Sequence, residues 1–194
     1  MEDPYTPEAY ICVDVETAGP IPGPADYSLL SIGACTVFEP QSTFYIELKP
    51  INENYTAEAA KVHKLSLEHL MAEGVAPEEA LQRFEEWLKE QAAPGKQPVF
   101  VAFNAAFDWM FINYYYFHYL GHNPFGHAAL DIKAFYMGRA DVPWSQTSWR
   151  FISPHYAEKT GLTHHALQDA LDQAELFKQI MKCTNKNIRP GDEQ

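Results

Sequence analysis

The stretch YICVDVETAGPIPG, residues 10–23, decides the fold. Ile11, Cys12 and Val13 are residues of a buried strand, and Gly19, Pro20 and Pro22 mark where it ends. Inside that strand stand two acids, Asp14 and Glu16. Strand side chains alternate faces, so both acids point the same way, about 7 Å apart along the chain. Like charges on one face of a buried strand repel each other and are costly to desolvate. Positive charge is needed between them.

Working outward, SLLSIGACTVF (28–38) and TFYIELKP (43–50) read as two more strands, antiparallel neighbours. TAEAAKVHKLSLEHLMAEG gives two short helices ended by Gly74. APEEALQRFEEWLKEQAA is an amphipathic helix with Pro77 near its start and Leu81, Phe84 and Leu88 at helical spacing. PVFVAF (98–103) is a short buried strand, AAFDWMFINYYYFHYLG is a helix stopping at Gly121, and AALDI is a fifth strand. The segment from Met137 to Ser153 lacks a strong period and reads as loop and short helix, and HHALQDALDQAELFKQIMK is the last helix. Strands first, then alternation with helices, imply an α/β layer fold around a mixed sheet.

At 194 residues the chain suits a single domain, residues 10–183, between tails at 1–9 and 184–194. Its apolar runs fall short of the ~20 residues of a membrane span, and its acidic start is unlike a signal peptide. Cys12, Cys35 and Cys183 show no metal-type spacing and read as reduced thiols of a cytoplasmic protein. The net charge is −12, and residues 1–130 hold 18 acids against 6 bases. Such a chain does not grip long nucleic acid chiefly by phosphate neutralisation.

Two further acids stand in apolar surroundings. Asp108, within NAAFDWMFI, is either a first-turn residue favoured by the helix dipole or a functional group. Asp169 projects between Leu176 and Ile180 on the apolar arc of the last helix, whereas Asp172 falls with Gln168, Glu175 and Gln179 on the solvent face. Asp14, Glu16, Asp108 and Asp169 are hard oxygen donors suited to Mg²⁺ or Mn²⁺. His164, five residues before Asp169, suits removal of a proton from a metal-bound water, and two such ions support in-line phosphoryl displacement.

With these residues in place, the sequence resembles the DEDDh family of 3′–5′ exonucleases, of ribonuclease H-like fold, over roughly residues 10–181. The motif Asp-x-Glu-Thr-x-Gly is Asp14 to Gly19, Asn-x-x-Phe-Asp is Asn104 to Asp108, and His-x-Ala-x-x-Asp-Ala is His164 to Ala170. The resemblance implies a mixed five-stranded sheet flanked by helices, with two metals held by Asp14, Glu16, Asp108 and Asp169 and with His164 as general base. It further implies hydrolysis of the terminal phosphodiester of single-stranded DNA or RNA from the 3′ end, releasing nucleoside 5′-monophosphates. It also implies substrate contacts at Thr17, Ala18, His63 and Asn104, and a homodimer or a polymerase or other protein partner is in keeping with the family. Ala18, Phe103, Lys64 and the proline-rich insert after Gly19 depart from its usual pattern.

Other readings bear on single residues. His165 competes with His164, but family spacing selects His164. His118 and His122 could share Zn²⁺ with distant His127, although ordinary surface histidines are the plainer reading. The run YYYFHY (114–119) packs the helix or forms an interface in preference to stacking bases. Asp131 is a support for the site or an N-cap. Two rival functions are a catalytically silent exonuclease-fold module that binds another protein, and a metal-dependent nucleotide phosphohydrolase.

Overall fold

The computed structural model of the chain describes residues 8–95, 97–156 and 163–182, apart from the side chains of residues 62 and 63. A five-stranded sheet, ordered β3-β2-β1-β4-β5, organises them. At its centre β1 (Tyr10–Thr17) is antiparallel to β2 (Leu29–Thr36), which is antiparallel to β3 (Thr43–Glu47). On the other side β1 runs parallel to β4 (Val99–Ala102), and β4 parallel to β5 (Ala129–Asp131). The sheet is therefore mixed, and AALDI supplies its fifth strand. Of the expected tails, only Glu8 and Ala9 fall among the described residues.

Both faces of the sheet are covered, which is why β2 is almost wholly buried. Ile11, Val13 and Val15 face a core shared with α3 (Pro77–Gln91) and α4 (Ala105–Tyr119). Cys12 faces the opposite core, built with α7 (Ala166–Lys182). By alternation Asp14 and Glu16 also turn toward α7. Between β3 and α3 lie α1 (Ala57–His63) and α2 (Leu67–Glu73), started by the side chains of Thr56 and Ser66, which accept from the N–H groups of Ala59 and His69.

The region with no clear period holds more helix than expected. α5 (Ile132–Ala140) begins at Asp131 and runs on to the left-handed Asp141, so Met137 is helical. A 3₁₀ turn (Trp144–Gln146) and α6 (Trp149–Tyr156) follow. In α6 only Trp149, Ile152 and Ser153 are buried, which leaves little pattern for a sequence to carry. Among the described residues no helix is long and apolar enough to cross a membrane.

One glycine sets the height of α7 above the sheet. Gly33 pairs with Asp14 in register, and a Cβ at Gly33 would lie 2.1 Å from the backbone of Ala166 and Leu167. The first turn of α7 thus rests on bare strand backbone beside Asp14. Substitution Gly33→Ala should lower stability by about 1–3 kcal/mol and lift α7 off β2. Denaturant unfolding checks this, and unchanged stability would show that the helix relaxes freely.

Candidate active site

Three elements bring the acids together. Pairing of β1 with β4 ends at Cys12 and Val101, so the last part of β1 has a free edge on that side. There the Val15 N–H donates to Asp108 Oδ1 at 3.1 Å, tying the buried acid of α4 to the backbone between Asp14 and Glu16. Asp108 is thus a buried group turned to the sheet rather than a capping residue. The turn before α4 is held by Asp131, whose Oδ2 accepts from the Ala105 N–H at 2.6 Å while Oδ1 accepts from the Ala134 N–H at 2.7 Å. Asp131 therefore both caps α5 and supports the start of α4.

Asp169 is buried in the first turn of α7 and folds the preceding loop back upon the helix. Its Oδ1 accepts from the N–H and the hydroxyl of Thr163 at 2.7 and 2.8 Å, and its Oδ2 accepts from the His164 N–H at 2.8 Å. His164 adopts a left-handed φ of 58°. Its ring comes to the acids: ligand atoms of Glu16, His164 and Asp169 all lie within 4.8 Å of one another. The neighbouring His165 instead stacks on Tyr45, with centroids 4.7 Å apart. Of the other histidines, His122 bonds Glu85 at 3.0 Å and His118 stacks on Tyr114.

A residue the sequence reading passed over completes the frame. Gln173 is 1% exposed; its Nε2 donates to Asp14 Oδ1 at 2.7 Å and its Oε1 accepts from the Phe103 N–H at 2.8 Å. The available signal was its place four residues after Asp169, on the same buried stripe. Asp172 is half-buried and accepts from Gln168 Nε2 at 2.8 Å, so it is less exposed than the projection onto the solvent face implied.

The electrostatics follow from burial. Asp14 is pushed well above the usual carboxylate range, first by burial and then by Asp108, Glu16 and Asp169, against the hydrogen bond from Gln173. Burial and then Asp169 raise Glu16 to about 7. Burial raises Asp108 to about 8, opposed by backbone hydrogen bonds from Val15 and its own amide. Such a cluster keeps protons unless cations replace them. Hard oxygens with this charge fit a divalent cation, which Asp14, Glu16, Asp108 and Asp169 could hold.

Beside Glu16 opens a cleft of about 440 Å³, lined by Val15, Thr17, Pro20, Thr56 and Phe107 among others. Thr17 thus borders it. Ala18 does not: it is fully buried, with its N–H donated to Ser28 O at 2.9 Å and its carbonyl accepting from Thr56 N–H at 2.8 Å. Its backbone bond holds Thr56, a residue of the cleft lining. Asn104 is exposed in a left-handed turn with φ 68°, outside the cleft lining. The side chain of His63 lies outside the described residues.

Fold and site define the class: an α/β enzyme with a carboxylate centre at the end of its central strand. Residues 9–181 match the family model described as the 3′-5′ exoribonuclease Rv2179c-like domain. The chain is 49% identical over 179 residues to the 3′-5′ DNA exonuclease Cap18 of Escherichia coli, covering 92% of this chain and 95% of that one. The nuclease domain of 3′hExo, a DEDDh family member bound to rAMP, has the same fold: TM-score 0.73, 15% identity, 95% of this chain and 96% of that chain. Exonuclease I of E. coli in complex with a dA16 oligonucleotide gives TM-score 0.69 at 13% identity, over 90% of this chain and 41% of that one. The chain belongs to the Rv2179c-like family, and it is a hydrolytic 3′–5′ exonuclease with the fold of a DEDDh nuclease.

Two outcomes are expected. Glu16 and Asp108 bind protons more tightly folded than unfolded, so the stability they contribute in metal-free protein is present at low pH and lost as pH rises through about 7 and 8. Melting temperature without metal should therefore fall from about pH 5 to about pH 8.5, and Mn²⁺ should raise it more at the higher pH. A flat profile indifferent to Mn²⁺ would contradict the cluster. Gln173→Leu should weaken Mn²⁺ binding about 10–100-fold by calorimetry, with Gln173→Glu or Gln173→Asn no substitute for the bridging amide; unchanged affinity would make Gln173 a packing residue only.

Proposed function

We propose that the enzyme hydrolyses the 3′-terminal phosphodiester of single-stranded nucleic acid, with two Mg²⁺ or Mn²⁺ ions, releasing nucleoside 5′-monophosphates. The observation that carries this reading is the convergence of Asp14, Glu16, Asp108 and Asp169 with the His164 ring at the mouth of a cleft. When bound, the ions would supply positive charge to the attacked phosphate and favour ionisation of the attacking water.

The chain's own groups have separate tasks. The four carboxylates would hold the ions, which would supply positive charge to the phosphate, and burial shields the acids from competing water. His164 takes the proton of the attacking water; its exposure lets it return that proton to solvent. The water oxygen joins phosphorus as the bond from phosphorus to O3′ breaks, so the phosphate leaves with the terminal nucleoside, and O3′ takes a proton from solvent to give the shortened strand its 3′-hydroxyl. The cleft bordered by Thr17 and Phe107 receives the terminal nucleoside.

DNA is the proposed polymer, because the relative at 49% identity is a DNA exonuclease covered over 95% of its length. The family description as an exoribonuclease domain supports RNA as the second reading. Matched 3′-labelled DNA and RNA, single- and double-stranded, with Mn²⁺ and mass-spectrometric products, decide between them. Equal inertness of wild type and Asp14→Ala on every strand would favour a silent binding module. Hydrolysis confined to mononucleotides would favour a nucleotide phosphohydrolase.

The mechanism makes its own prediction. His164→Ala should lower turnover by ~10²–10⁴-fold while metal binding stays largely intact. Asp169→Asn should impair metal binding in calorimetry, whereas Asp172→Asn should be close to neutral. Loss of metal from the His164 variant would make that histidine a ligand rather than a base.

A further inference from the structure

The aromatic run on α4 is divided by the fold. Tyr115 and Tyr116 are fully buried, and Tyr115 Oη accepts from the Leu29 N–H at 2.8 Å. Phe117 and His118 face outward, Phe117 at 53% exposure, and the rings of Tyr114 and His118 stack 5.5 Å apart at an interplanar angle of 11°. Across from them stand Ile21, 46% exposed, and Pro22, both from the proline-rich loop. With Met110 they line an open groove of about 670 Å³.

The far wall is fixed in place. Asn52 Nδ2 donates to Pro24 O at 3.0 Å, Asn54 Nδ2 donates to Asp26 O at 3.0 Å, and the Tyr27 N–H donates to Ile21 O at 3.2 Å. The groove also adjoins the catalytic cleft along two segments of the chain. Pro20 and Phe107 line the cleft, while Ile21, the next residue, and Met110, the next turn of α4, line the groove. From Phe107 to His118 the helix advances about 16 Å, room for roughly four bases at stacking distance. Glu16 and Glu58 line the cleft, but no acid lines the groove.

Charge decides what can lie there. At −12, with the surplus in residues 1–130, the chain has little means of holding a strand through its phosphates. Flat rings in an uncharged groove hold unpaired bases of any sequence. We propose that this groove binds the bases immediately upstream of the scissile nucleotide, by stacking on Tyr114, Phe117 and His118 against the Ile21–Pro22 wall. The proposal rests on the exonuclease reading above and extends it: the substrate is a single strand of several nucleotides, because paired bases present no free face to the rings.

The test compares di-, tri- and pentanucleotides in Mn²⁺. For wild type, kcat/KM should rise with length, and KM for the pentanucleotide should depend only weakly on salt, with a log–log slope shallower than about −2. Phe117→Ala, at an exposed site, should cut the ratio of pentanucleotide to dinucleotide kcat/KM about tenfold, with an unchanged melting temperature. Phe117→Trp should keep that ratio. Cleavage that ignores length, or a Phe117→Ala ratio equal to wild type, overturns the groove while leaving the exonuclease reading intact. A steep salt slope overturns the stacking claim. Loss of a dimer in sedimentation of Phe117→Ala, with the length ratio kept, would assign the face to a second copy of the chain and overturn the proposal. If wild type cleaves no oligonucleotide, the exonuclease reading fails. The groove is then judged by binding of a fluorescent pentanucleotide: binding that Phe117→Ala abolishes supports it, and no binding overturns it.

Discussion

Mutual repulsion among carboxylates at the end of β1 is the constraint on which the rest of the structure depends. Asp14 feels Asp108, Glu16 and Asp169 at once, in a setting where burial has already made charge costly. The fold answers with hydrogen bonds that restrain the acids without neutralising them. Val15 N–H holds Asp108, Gln173 holds Asp14, and the Thr163–His164 loop holds Asp169. Val15 is held by strand geometry and Gln173 by its second bond, to Phe103 N–H, so Asp108 and Asp14 are oriented by fixed donors. Repulsion that remains after these bonds leaves the cluster short of positive charge.

Delivering acids from residues 14 and 169 to one point requires close packing of helix on sheet. Gly33 makes this possible by removing the side chain that would separate α7 from β2 beside Asp14. The early end of β1–β4 pairing does the same for α4, because it leaves Val15 N–H for Asp108 to accept. An interrupted ladder and a missing Cβ are small local losses of sheet stability. In each case the loss makes room for an acid-bearing helix.

How much was legible depends on whether a residue's role is local. The alternation in YICVDVETAG puts Asp14 and Glu16 on one face, and helical projection turns Asp169 inward; both are short-range properties of strand and helix. Asp108 was ambiguous, because its acceptance from Val15 crosses 93 residues of chain and leaves no local pattern. Gln173 and Gly33 were invisible for the same reason, since one spans to Asp14 and the other to Ala166. The pairing of Ala18's backbone with Ser28 and Thr56 likewise joins distant segments and leaves no local pattern. The run YYYFHY could not be assigned to one role because helical rotation gives its members two: alternate sides of α4 meet the core and the solvent.

An acidic enzyme acting on a polyanion must separate local from global electrostatics. At about 10 Å the salt of ordinary solution screens most of the field from the dispersed surface acids, so the strand meets chiefly the charges it touches. Within that distance of the carboxylate cluster the buried acids dominate, and a cation held there would reverse the sign that a phosphate encounters. Farther along α4 the lining carries no acid, so the strand meets no carboxylate there. The net charge of −12 therefore limits how firmly a long strand is held without preventing a 3′ end from reacting.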